Sequence, residues 1–182
     1  MNLKTNLLFI SLLLLSVVAQ CAFGNFPFAF FAFPLDLLLA LIWIGGMGYA
    51  YKEKRSSVAV RLWLSPQCTY WTLGWFLGGC LVIGLFPQLS VQDAVRKSGV
   101  LSILGCYHFT SSWIFVTGLF GLLTHLGMIT LRRFFLPGRS QWRFVLNHAG
   151  LWLALFAGFI GSAEEQTLRI PVFRTSSNNE AF

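Results

Sequence analysis

Ser111-Ser112-Trp113-Ile114-Phe115-Val116-Thr117-Gly118-Leu119-Phe120-Gly121-Leu122-Leu123-Thr124-His125-Leu126-Gly127-Met128-Ile129-Thr130-Leu131 carries no charge from end to end and closes on Arg132-Arg133. A helix needs about 20 apolar residues to cross a bilayer. No water reaches the hydrocarbon to satisfy a non-helical backbone. The stretch therefore reads as a transmembrane helix. Four others qualify or nearly do: Leu7 to Phe23, Phe26 to Tyr51, Tyr70 to Phe86, and Phe144 to Ala163. The 182-residue chain agrees as a whole, with 56% apolar residues, 10% charged residues and a mean hydropathy of +0.70. A soluble domain carries roughly 25% charged residues. The composition excludes a soluble enzyme, a disordered chain and a nucleic-acid-binding domain; the net charge of +7 belongs to loops. The expected fold is all-α: a polytopic integral membrane helical bundle with four or five transmembrane helices.

Basic residues orient such a bundle, because loops rich in Lys and Arg stay in the cytoplasm. Lys4, Lys52, Lys54, Arg55, Arg61, Arg132, Arg133, Arg139 and Arg143 fall on one side; Arg96, Lys97, Arg169 and Arg174 fall on the other. The bias predicts a cytoplasmic N-terminus, if the first span is retained, and a C-terminus outside. The first span reads two ways. A retained helix is the expectation, while Lys4, the apolar run Leu7–Val18 and the small residues near Ala19–Ala22 also describe a signal peptide. Val18-Ala19-Gln20-Cys21 loosely resembles a lipoprotein cleavage site, with Gln20 where a small residue is expected. Val91–Cys106 has the pattern of an interfacial helix interrupted by Gly99. Leu168, Ile170, Val172 and Phe173 alternate like the start of a strand.

Ionisable residues inside a span are functional candidates, because burying them is costly. His125 and His148 lie at similar depth below the basic boundary on consecutive spans. A short connection favours antiparallel pairing of those spans, so the two imidazoles could share one site. Each has two readings, a packing histidine or an axial ligand to haem iron. His108 stands before the fourth span, as a solvated interfacial residue or an outer haem contact. Asp36 suits the first turn of the second span, where the helix dipole favours a carboxylate. Cys21, Cys68, Cys80 and Cys106 form no C-x-x-C pair, so zinc and thioredoxin-type readings fail. No hydrolytic triad, phosphate loop or H-E-x-x-H motif is present.

Three segments together resemble the membrane core of the ResB family of cytochrome c biogenesis proteins. Trp71-Thr72-Leu73-Gly74-Trp75 through Gly84-Leu85-Phe86-Pro87-Gln88 is similar to the family's first helix and its Pro-Gln close. Tyr107-His108-Phe109-Thr110-Ser111-Ser112-Trp113-Ile114-Phe115, followed by Leu131-Arg132-Arg133, is similar to the second. Leu146-Asn147-His148-Ala149-Gly150-Leu151-Trp152 through Gly158 and Gly161 is similar to the opening of the third. The resemblance divides the chain into an N-terminal membrane region (1–69), a ResB-like core (70–173) and a polar tail (174–182). The resemblance is expected to cover the family's membrane core only, without its large periplasmic domain.

The resemblance implies a bacterial cytoplasmic (inner) membrane protein that handles or delivers haem b to the outer face. Its implied partners are a haem-handling membrane protein and apocytochrome c, alongside the lipid bilayer, with no nucleic acid. His125 stands where the family's transmembrane haem ligand falls most naturally, with His148 and His108 as further haem-binding candidates. The chain is expected to be accessory to the haem-attachment complex, with no catalysis on its own. Two other readings stay open: a non-catalytic membrane scaffold subunit, and a b-haem or quinone electron-transfer subunit.

Overall fold

The computed structural model describes residues 3–89, 93, 99–135 and 142–161. In chain order the helices are α1 (Leu3–Phe23), α2 (Leu35–Glu53), α3 (Val58–Trp63), α4 (Pro66–Leu85), a single turn α5 (Val100–Ile103), α6 (Trp113–Phe134) and α7 (Trp142–Gly161). Short 3-10 segments, Phe28–Phe31 and Cys106–Ser111, precede α2 and α6. Among the described residues there is no strand, and the all-α polytopic bundle is what the sequence predicts. Four helices are long and apolar enough to cross a bilayer: α1, α4, α6 and α7. The protein is therefore a multi-pass membrane protein. The expected strand start in the tail, and most of the expected interfacial helix, lie outside the described residues.

Serines set where helices begin. The Ser65 hydroxyl accepts the Cys68 N–H (3.3 Å), with Pro66 in the first turn of α4. The Ser112 hydroxyl accepts the Phe115 N–H (3.1 Å) at the start of α6. Each satisfies a donor that the helix itself leaves open. The cap at Ser65 also starts α4 one turn before Tyr70. The second span is shorter than its apolar run. Pro27 and Pro34 cannot donate a backbone N–H, and the helix begins only at Leu35. The residues before it turn back, and Phe31 sets its ring 5.0 Å from that of Phe159 on α7. With 19 residues, α2 is about 28 Å long. It carries Asp36 in its first turn and Lys52 in its last.

α6 is the axis of the bundle. It packs against α1, α2, α4 and α7. Its best apolar window is 39% buried, against 11% for α7. Lipid is as apolar as leucine, so helices in a membrane associate through close packing and hydrogen bonds. Both occur on α6. The Trp75 indole of α4 donates to the Ile114 carbonyl (3.0 Å), and the Trp152 indole of α7 donates to the Leu123 carbonyl (2.8 Å). Trp43 of α2 stacks on Phe120 at 4.2 Å. Glycines admit these rings. A Cβ on Gly118 would lie 2.5 Å from Trp75, and one on Gly127 would lie 3.1 Å from Trp152.

α1 is tied in at both ends. Near its start, Asn6 accepts hydrogen bonds from Gln67 and from the Trp71 indole of α4. Phe9 lies parallel to Trp71 at 5.8 Å. Near its end, the buried Gln20 side chain accepts the Trp113 N–H (3.0 Å), the first of α6.

Gly118→Ala should destabilise the bundle by about 1–3 kcal/mol through overpacking against Trp75. Gly150→Ala, whose Cβ meets nothing within 4 Å, should be close to neutral. Thermal unfolding of the two variants in one detergent checks the contrast.

Candidate functional site

The three histidines occupy three different environments. His125 is 3% exposed and faces α3 and α4. Its Nδ1 lies 2.7 Å from the Trp63 carbonyl and its Nε2 lies 2.8 Å from the Thr69 hydroxyl. A carbonyl only accepts, so Nδ1 carries the proton and Nε2 accepts from Thr69. Both ring nitrogens are thus engaged, and no lone pair is left for iron in this arrangement. A ligand would first have to displace Thr69. What the ring does here is join the α3–α4 corner to the central helix.

His148 sits on the second turn of α7 and is half-buried. Its Nδ1 donates to the Phe144 carbonyl on its own helix (3.0 Å), and its ring stacks on Phe144 with centroids 3.7 Å apart. Arg133, from the last turn of α6, lies 5.3 Å from the same phenyl ring. The helices of His125 and His148 do pair, as expected. The two imidazoles share no hydrogen-bonding partner: one is held by α3 and α4, the other by its own helix.

His108 lies at the opposite end of the bundle, in the 3-10 segment before α6. Its Nδ1 donates to the Leu89 carbonyl (2.9 Å). Around it, two of the segments singled out in the sequence are stitched together. The Leu89 N–H donates to the Tyr107 carbonyl (2.7 Å), and Gln88 Oε1 accepts the Phe109 N–H (3.0 Å). Gln88 Nε2 donates to the Cys106 carbonyl (3.2 Å). The Pro87-Gln88 close and the Tyr107-His108-Phe109 run therefore form one local unit.

Asp36 lies in the first turn of α2, as its position suggested. Cys68 and Cys106 are buried, and Cys21 and Cys80 are exposed. Burial pushes the Cys106 thiol above its ordinary value, which keeps it a neutral small hydrophobe at neutral pH. Among the described residues no three His, Cys, Asp or Glu side chains gather as a metal site. An apolar groove of about 600 Å³ runs along α4, walled by Trp71, Trp75 and Phe109 and floored by Gly74 and Gly78. Its chemistry suits a hydrocarbon chain or a flat apolar ring and offers no charged anchor.

Of the residues that organise these sites, Asn6 and Thr69 carry no sequence motif, and Gln20 and Gln88 stand out in the sequence only for a cleavage-like stretch and a family-like Pro-Gln close. All four bridge segments far apart in the chain. The available signal was an uncharged polar side chain within or beside an apolar run, the same argument that was applied to histidine. No family model, no curated protein and no solved structure matches the sequence.

His125→Leu should cost about 1–3 kcal/mol, because the Trp63 carbonyl and the Thr69 hydroxyl lose their partner. Combined with Thr69→Val, the loss should be less than additive, with a coupling of about 0.5–3 kcal/mol. Unfolding of the two single variants and the double variant checks this.

Proposed function

We propose that the protein is a haem-handling membrane component of cytochrome c biogenesis, resident in a bacterial inner membrane and accessory to the haem-attachment complex. The observation that carries this reading is the arrangement of His148, Phe144 and Arg133. A metal-ligating histidine generally donates its other ring N–H to a carboxylate or backbone carbonyl, which fixes the tautomer and the ring orientation. The Nδ1–H of His148 is held by the Phe144 carbonyl in that way. Its Nε2 has no hydrogen-bonding partner among the described residues. Phe144, stacked on the imidazole, would set an apolar ring edge beside a group held at Nε2, and Arg133 carries a guanidinium suited to a carboxylate. Those are the three chemistries that a haem presents, in its iron, its ring and its propionates. When bound, haem supplies the redox-active iron and the vinyl groups on which attachment to a cytochrome depends. The protein's residues would bind, orient and shield it.

Under this reading the basic end of the bundle, with Lys52, Arg132 and Arg143, faces the cytoplasm. His148 then receives haem at that face. His125 holds the bundle together rather than ligating iron. A haem-handling membrane partner and apocytochrome c complete the proposed assembly.

A second reading, a membrane scaffold subunit without cofactor, is favoured by two observations. The ring nitrogens of His125 are satisfied internally. Gly150, Gly158 and Gly161 of α7 meet nothing within 4 Å, which leaves room for another helix to approach closely.

The full chain, produced with ample haem and purified in detergent, should show a Soret band. His148→Ala should weaken haem affinity by roughly 10-fold or more while leaving helicity unchanged. His125→Leu should lower stability with haem affinity retained. A colourless wild-type protein under these conditions would transfer the conclusion to the scaffold reading.

A further inference from the structure

The apolar groove of about 600 Å³ beside α4 is a cleft between two spanning helices. α1 and α4 start at the same end of the bundle, where Asn6 ties them together and Phe9 stacks on Trp71. Further along, both lean on the start of α6. Trp75 donates to the Ile114 carbonyl, Gln20 accepts the Trp113 N–H, and its amide donates to the Ile103 carbonyl (3.4 Å). Leu13 of α1 lines one side of the cleft, and Leu104, Cys106 and Phe109 line another. The floor is open. A Cβ on Gly74 or Gly78 meets nothing within 4 Å, whereas one on Gly79 would lie 3.2 Å from Phe109.

Position, size and closure name the occupant. Leu14, Leu77 and Leu81 are each next in sequence to a lining residue, and all are largely exposed on helices that span the bilayer. The cleft is therefore continuous with the lipid-facing surface. Along α4 its lining runs from Tyr70 to Val82, about 18 Å at 1.5 Å per residue. A helix with its side chains is about 10 Å across, and that length of one takes more than twice the cleft's volume. A single hydrocarbon chain is narrow enough to enter. The contacts of Asn6 and Phe9 shut the end near Trp71, so a chain comes in from the other end.

We propose that the cleft holds one acyl chain of a phospholipid from the leaflet opposite the basic end of the bundle, with the chain's methyl end toward Trp71. The site goes beyond the haem reading and does not rest on it. Removal from water drives nothing here, because lipid is as apolar as the lining. Contact does: an empty cleft would leave the Trp71 and Trp75 rings without atoms on one side. The run of about 18 Å exceeds half of a bilayer core about 30 Å thick. A chain seated in it passes the midplane, where its neighbours in the same leaflet stop.

The full chain, reconstituted in phosphatidylcholine vesicles with a trace of phosphatidylcholine bearing a photoreactive diazirine on one chain, tests the site. With the diazirine at the chain end, irradiation should label Leu13 and Trp71. With it beside the ester, the labels should move to Val82 and Leu104. Gly74→Leu and Gly78→Leu, which build a side chain into the cleft, should each lose the chain-end label with helicity unchanged. Gly150→Leu, on the open face of α7, should be labelled as wild type is. Haem absorbance of all three variants should match wild type. Absence of both labels in wild type, their appearance in the reverse order, or a chain-end label retained in either cleft variant would overturn the proposal. So would loss of haem absorbance in a cleft variant, which would make the cleft a site for a flat ring. Unlabelled wild-type dimers that Gly78→Leu separates would make the occupant a second copy and overturn it equally.

Discussion

In a bilayer, a polar group that leaves water must find its partner inside the protein. That constraint organises this fold around α6. The indoles of Trp75 and Trp152 donate to its carbonyls. Its one imidazole reaches across to Trp63 and Thr69. Its first N–H is covered by Gln20. Apolar packing adds shape but little direction, since lipid tails would cover the same leucines equally well. The polar contacts fix which helix sits beside which, and glycines at 118 and 127 let the indoles come near enough to make them.

The same constraint separates the three histidines. An imidazole with both nitrogens engaged is a structural joint, and His125 is one. An imidazole with Nδ1 on a carbonyl and no second partner among the described residues keeps a lone pair on Nε2, and His108 and His148 both have that form. They stand at opposite ends of the bundle, beside different company: a guanidinium and a phenyl ring for His148, a thiol and side-chain amides for His108. Similar imidazoles thereby acquire different chemical preferences from their neighbours.

Much of the architecture was legible in the sequence. Uncharged runs and basic flanks gave the spanning helices, because the bilayer imposes their length and backbone pairing. Pro27 and Pro34 were visible too, but the apolar run across them hid the late start of α2. The matched depth of His125 and His148 was read from span position and helical rise. Ring direction was not, since it depends on Thr69 and Trp63, which lie 56 and 62 residues away from His125. Spacing along one helix carries no information about such partners. The interlock of Gln88 with Phe109 was hidden for the same reason, although both residues sat in segments already singled out.

The Gln20–Trp113 contact also bears on how the molecule is made. Its two residues are 93 positions apart. At roughly 5–20 residues per second of synthesis, the amide waits on the order of 5–20 s for its partner to be polymerised. During that interval α1 resides in the membrane with a carboxamide that only a later helix can cover. Translation therefore sets the earliest moment at which this end of the protein can close, and a pause before residue 113 would prolong the life of an open intermediate available to insertion machinery.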